Sequence, residues 1–65
     1  MNQERIKTLQ QLLQMDPNDT FTQFALGLEH LEGQPLEAER HFRLTLEKDD
    51  RYVAAYFQLG KLAFD

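Results

Sequence analysis

The sequence predicts an all-α fold of antiparallel helical hairpins, and three observations carry that prediction. Apolar residues recur at three- and four-residue steps, and no stretch alternates apolar and polar as a half-buried strand does. Pro17, Gly33, Pro35 and Gly60 punctuate the 65 residues and leave pieces of helical length between them. Finally, Phe24-Ala25-Leu26-Gly27 and Phe57-Gln58-Leu59-Gly60 write the same Phe-x-Leu-Gly pattern twice. The offset from position 24 to position 57 suits a unit of two short helices.

Four helices follow, over about 2–15, 19–32, 35–48 and 51–64. The first places Ile6, Leu9, Leu12 and Leu13 on one apolar stripe. It stops where Pro17 pushes Asp16 out of the α region. Asp19, or Asn18 beside it, caps the second helix by accepting from its orphan N–H groups. Gly33 closes that helix in the left-handed conformation a glycine tolerates. Pro35 suits the first turn of the third helix, and Glu37 and Glu39 suit its positive end. The third helix buries Ala38, Phe42, Thr45 and Leu46, with Glu39 and Arg43 paired four apart on the outer side. Lys48-Asp49-Asp50 ends it, and Asp50 is the expected cap of the fourth helix. Short turns between successive helices favour antiparallel neighbours.

Composition narrows the function. The chain carries 7 basic and 11 acidic residues, a net charge of −4, and its cations are scattered singly. A nucleic-acid partner calls for a basic stripe, which is missing. No run reaches the ~18 apolar residues of a membrane span, and the N-terminal stretch is too polar for a secretory signal. A soluble, cytoplasmic protein is expected, with no nucleic acid or membrane among its partners. With no cysteine, neither a disulfide framework nor a zinc–thiolate cluster can support so small a core.

The repeated Leu-Gly places a glycine in the middle of two helices, at a cost of about 1 kcal/mol each relative to Ala. Close helix approach at Gly27 and Gly60 would offset that cost. The stretches Met15–Asp19 and Glu47–Arg51 form matching boundaries near the same offset. On these residues the chain resembles the tetratricopeptide repeat family, whose pattern is W-x2-L-G-x2-Y, then A-x3-F, then P. Here it reads Gln23-x2-Leu26-Gly27-x2-His30, then Ala38-x3-Phe42, with Asp50 where Pro is expected. The last segment supplies Tyr56-x2-Leu59-Gly60-x2-Ala63. Leu9 takes the Phe place of a preceding repeat, and Pro17 its Pro place. The chain departs from the pattern in Gln23 for the aromatic, in His30 and Ala63 for Tyr, and in one residue fewer between Gly27 and Ala38. The resemblance divides it into the second helix of a preceding half repeat (1–17), a full repeat (18–50) and the first helix of the next (51–65).

This resemblance implies a short right-handed superhelix whose concave groove holds a partner's peptide. The groove positions it implies are Phe21, Phe24, Ala25 and Leu28 on one helix, and Ala54, Phe57, Gln58 and Lys61 on the next. Phe24 and Leu28 stand where carboxylate-clamping members carry polar residues, so an apolar or amphipathic segment is the expected partner. Aromatics at helical spacing are core more often than site, so Phe24 and Phe57 are also candidates for packing between repeats. Lys61 by itself reads as a solvated charge.

The fourth helix leaves almost no polar face: Tyr52, Val53, Ala54, Ala55, Tyr56, Phe57, Leu59, Leu62, Ala63 and Phe64 surround it. A helix apolar all round calls for burial all round. The expectation is a piece of a longer array, or a chain that self-associates through its last helix.

Chemistry-bearing constellations are absent from this reading. His30 takes a structural repeat position and His41 reads as exposed. Glu37 and His41, four apart, are a weak metal pair whose ordinary reading is a solvated helix face. Gly27, Gly33 and Gly60 are isolated and form no phosphate loop. Serine and cysteine are missing as nucleophiles. No catalytic, cofactor or metal residue is expected. The leading expectation is a non-catalytic protein–protein interaction module. The competing ones are a self-assembly segment and a non-repeat four-helix bundle serving as an acidic regulator or enzyme accessory; the repeat period counts against the last.

Overall fold

A computed structural model describes the backbone of residues 2–64 and the side chains of residues 2–63. Met1, Asp65 and the side chain of Phe64, one of the apolar residues of the last helix, lie outside the described residues. The fold is all-α: α1 (Gln3–Met15), α2 (Thr20–His30), α3 (Pro35–Lys48) and α4 (Val53–Phe64), with no strand among the described residues. Each helix packs chiefly on its neighbours in sequence, α1 on α2, α2 on α3 and α3 on α4. The Cα envelope measures 33 × 26 × 13 Å.

Local chemistry explains most boundaries. Asn2 caps α1 by accepting from the Arg5 N–H at 3.0 Å. Asp16 leaves the helical region at φ −141°, ψ 86° ahead of Pro17. Asp19 caps α2, accepting from the Thr22 N–H at 3.2 Å and from the Thr22 hydroxyl at 2.6 Å. Those two bonds, the hydroxyl's first, hold the Asp19 carboxyl below the usual carboxylate range. Pro35 opens α3, and Glu39 pairs with Arg43 at 3.0 Å.

Three local expectations are corrected. Helix α2 ends at His30 rather than near residue 32, and Leu31 stays right-handed at φ −53°, ψ −44°. Gly33 has no positive φ, so the turn before Pro35 does not use glycine's special freedom. In the last turn Asp49, not Asp50, makes the side-chain bond, accepting from the Arg51 N–H at 3.0 Å. Tyr52 then starts α4 through its carbonyl, which accepts from the Ala55 N–H at 3.0 Å.

The turn after α1 and the turn after α3 are built alike, at the offset of the Phe-x-Leu-Gly pattern. The Asp16 and Asp49 N–H groups donate to the carbonyls of Leu12 and Thr45, at 3.0 and 2.9 Å. Their own carbonyls accept from Asp19 and Tyr52, at 3.0 and 3.2 Å. Their side chains accept from the N–H two residues on, Asn18 at 3.3 Å and Arg51 at 3.0 Å. An Asx turn is therefore used twice at one offset.

The core is narrow. Phe24, Ala38, Phe42 and Ala55 form its buried cluster, with Leu31, Leu46, Tyr52, Leu59 and Leu62 packed against it. Phe24 lies 5.3 Å from Phe42 and 5.1 Å from Tyr52 between ring centroids, tilted at 43° and 50°. Such aromatic pairs add about 0.5–1.5 kcal/mol beyond the area they bury. Thr45 is fully enclosed, and its hydroxyl donates to the His41 carbonyl at 2.8 Å, which satisfies it. In α1 only Ile6 is buried, because α2 covers a single side of that helix.

The two Leu-Gly pairs sit in unlike surroundings, against expectation. A Cβ built on Gly27 would fall 2.6 Å from Phe42 Cδ1 and 2.9 Å from Cζ, whereas one on Gly60 would meet nothing within 4 Å. The reason is coverage: α3 lies on α2 at Gly27, and no described element lies on α4 at Gly60. Opposite effects of one substitution follow. Gly27→Ala should destabilise the fold by about 1–3 kcal/mol through overpacking of an immobile ring, while Gly60→Ala should stabilise it by about 0.5–1 kcal/mol through helix propensity. Urea denaturation of both variants measures the difference, and equal effects would refute the assignment of close packing to Gly27 alone.

Candidate functional site

Two surfaces of opposite character stand out, one apolar and outside, the other polar and inside. The outer surface contains most of the groove positions expected from the sequence. On α2, Phe21 is 67 % exposed and Leu28 41 % exposed, two turns apart on one stripe. Ala25 between them is half-buried. On α4, Ala54, Phe57 and Lys61 are exposed and Gln58 is half-buried. Lys61 is more than a lone solvated charge, since its Nζ stands 5.8 Å from the centroid of the Phe57 ring, within cation–π range.

Phe24 differs from the other groove positions. At 8 % exposure it belongs to the core, wedged between Phe42 and Tyr52, and offers no surface to a partner. Phe57, its counterpart in the second Phe-x-Leu-Gly, is 65 % exposed. Of the two readings the sequence left open, Phe24 takes the core and Phe57 the surface. Val53 and Tyr56 extend the exposed apolar area of α4 at 75 % and 53 % exposure. The Tyr56 hydroxyl donates to the Asp50 carbonyl at 2.9 Å, which holds that ring against the turn.

The inner surface is a polar seam between α2 and α3, and sequence reasoning missed it. His41, read as exposed, is 7 % exposed, and His30 is 8 % exposed. Their rings stack with centroids 5.2 Å apart and planes within 6°. Gln23 and His41 are joined by a 2.7 Å bond between Nε2 and Nδ1, and Gln23 Oε1 accepts from Lys48 Nζ at 2.8 Å. Lysine only donates, so it fixes the amide with Oε1 toward Lys48 and Nε2 toward the imidazole. Gln23 therefore donates to His41 Nδ1, and the neutral His41 ring carries its proton on Nε2. That nitrogen faces Glu37 Oε2 at 3.9 Å. Enclosure by the helices, reinforced by the charge of Arg40, pushes the His41 pKa down to about 4.

Glu37 sits at the open edge of the seam. Arg40 donates to it from Nη2 at 3.0 Å and from Nε at 3.4 Å, and these bonds hold its carboxyl below the usual range. One ring nitrogen of His30, one of His41 and a Glu37 carboxylate oxygen lie within 4.8 Å of one another. His30 Nδ1 is enclosed and has no hydrogen-bond partner. The signal present in the sequence was positional: Gln23 and His30, two departures from the repeat pattern, both touch His41.

No family model, no curated protein and no solved structure matches the chain. No helix of the described residues is long and apolar enough to cross a membrane.

His41 gives the fold a pH dependence whose sign is fixed. Its folded pKa lies below the ordinary 6.5, so between pH 6.5 and about 4 the unfolded chain takes up a proton that the folded chain refuses. Stability is therefore greatest above 6.5 and falls as the pH drops toward 4. Urea midpoints measured across this window with a chelator present should fall, and His41→Gln should flatten that part of the profile. A His41→Gln profile with the parent's slope would contradict the burial of a neutral ring.

Proposed function

We propose that the chain is a non-catalytic protein–protein interaction module built from tetratricopeptide-like hairpins. In this reading the helices stack in the manner of a right-handed superhelix, and a partner peptide or helix lies across α2 and α4. The residues that meet it are Phe21 and Leu28 on α2, with Ala54, Phe57, Gln58 and Lys61 on α4. Phe24 stands behind this surface and supports it from the core.

One observation carries the reading. Large apolar side chains that a folded chain normally shelters stand open on α2 and α4, with Phe21 at 67 % and Phe57 at 65 % exposure. Each forgoes part of the ~1.5–3 kcal/mol that full burial of such a side chain contributes. Exposed large apolar side chains gathered on a protein surface commonly mark an interaction site. The Phe-x-Leu-Gly period, and the turn built twice at that offset, support the repeat architecture.

A second reading, self-association through α4, is favoured by a specific feature of that helix. Ala55 is its one buried residue among those described, while Val53, Tyr56 and Phe57 are all more than half exposed. In that case the occupant of the apolar surface is another copy of the chain.

Two measurements separate the readings. Phe21→Glu and Phe57→Glu alter exposed positions, so stability should change by no more than about 0.5 kcal/mol in either direction. Binding of amphipathic helical peptides, followed by fluorescence anisotropy, should weaken about tenfold or more in either variant if these residues anchor a partner. Sedimentation equilibrium should then find a monomer. A dimer that dissociates in Phe57→Glu, with no peptide bound by the parent, would instead establish self-association. Parent-like behaviour of both variants in both experiments would sink the apolar face as a binding surface.

A further inference from the structure

The polar seam is not used by the apolar surface, and its composition is unusual for the middle of a small helical domain. Two imidazoles and a carboxylate converge from adjoining helices: His30 ends α2, and Glu37 and His41 lie one turn apart on α3. Their nearest donor atoms fall within 4.8 Å of one another, with His41 Nε2 and Glu37 Oε2 at 3.9 Å. His30, 8 % exposed, keeps its Nδ1 enclosed without a partner, although buried imidazole nitrogens are ordinarily bonded.

We propose that His30, Glu37 and His41 bind one divalent transition-metal ion of the zinc class, through two imidazole nitrogens and one carboxylate oxygen. Solvent reaches the cluster on the Glu37 side, where that side chain is 46 % exposed.

The donor set fits the chemistry. Imidazole and carboxylate without thiolate suit Zn(II), Co(II), Ni(II) and Cu(II), and two His with one Glu is a known three-ligand set for zinc. Bonds of about 2.0–2.2 Å place tetrahedral ligand atoms about 3.3–3.5 Å apart. The widest pair here must therefore close by roughly 1.3 Å. Since His41 and Glu37 are already 3.9 Å apart, that pair involves His30. Binding requires one of the two rings, now stacked within 6° of parallel, to turn so that both nitrogens aim at one point, with Glu37 closing from its half-exposed position. A cleft lined by Gln3, Ile6, Lys7, Gln10, His30 and Gln34 opens onto His30 between α1 and the end of α2.

The second layer of contacts makes the proposal specific. Coordination through His41 Nε2 moves the ring proton to Nδ1. Gln23 then turns its amide so that Oε1 accepts that proton, and Lys48 is released. A carboxylate at position 23 would accept from His41 Nδ1–H and Lys48 together, in the carboxylate–histidine–metal arrangement that strengthens such ligands. Gln23 is thus a positioning residue, and Gln23→Glu should tighten binding rather than weaken it.

The test titrates Zn(II) and Co(II) into the metal-free full chain at neutral pH, reading calorimetry, the Co(II) visible spectrum and the melting temperature. One ion per chain, a Co(II) ligand-field band and a raised melting temperature are expected. Glu37→Gln, at a half-exposed position that leaves the core intact, should weaken the affinity by about tenfold or more, and His30→Gln should abolish the Co(II) band. Circular dichroism checks that each variant is folded. A Kd of about 1 mM or weaker for the parent, or parent-like affinity in Glu37→Gln, would overturn the site and leave the histidines as a stacked pair. A Gln23→Glu variant that binds no tighter would remove Gln23 from its positioning role.

Discussion

The close approach of α2 and α3 at Gly27 is the constraint on which the rest of the molecule depends. There the backbone of one helix meets the ring of Phe42, with no room for even a methyl group between them. Helices are stiff over three turns, so a short separation at one point sets the separation along the whole contact. Gln23, Gly27 and His30 share a face of α2 because they are spaced four and then three positions along it. Bringing Gly27 down on Phe42 therefore also brings Gln23 and His30 to His41. Apolar core and polar seam are two consequences of one contact.

That contact also explains where stability is concentrated. Among the described residues, α2 and α3 supply nearly all of the side chains that are fully enclosed, Leu26, Phe42 and Thr45 among them. Helices α1 and α4 each pack chiefly on one neighbour and leave Leu12, Met15, Val53 and Phe57 exposed. An ion pair at 2.9 Å from the exposed Arg5 to Glu29, whose side chain is 15 % exposed, ties α1 to α2. In so small a domain, any partner that binds only the folded form adds directly to its stability. A partner on the apolar residues of α2 and α4, or an ion in the seam, would therefore raise the stability of the fold as it bound.

A buried polar seam is costly unless its groups satisfy one another. Here the chain of donors and acceptors runs from Lys48 through Gln23 to His41, and each step determines the next. Lysine orients the amide, the amide selects the imidazole tautomer, and burial keeps that imidazole neutral. The order breaks off at His30, whose Nδ1 is enclosed and unmatched. That unmatched nitrogen is the open end on which the proposed metal site rests.

Much of the architecture was legible in the sequence because it rests on local rules. Pro17 and Pro35 govern helix boundaries through their own backbones, Asp19 caps through a bond to the N–H of Thr22, and the helical period picks out Ala38, Phe42 and Thr45 as core. These causes act within one turn, so the order of residues suffices to find them. The all-α class and the four helices followed from them. Of the expected groove, Phe21, Leu28, Ala54, Phe57 and Lys61 were placed at the surface, while Phe24 turned inward, because a stripe on one helix does not say which neighbour will cover it. The same ignorance of neighbours hid the difference between Gly27 and Gly60, and the burial of His41. Helical spacing puts residues 23 and 30 on one face of α2, but residue 41 lies on the next helix, and only the packing of α3 on α2 brings it to them. What the residue order determined was the set of helices and their turns, and what the tertiary structure decided was which faces meet, since burial and hydrogen bonding between helices depend on distance in space.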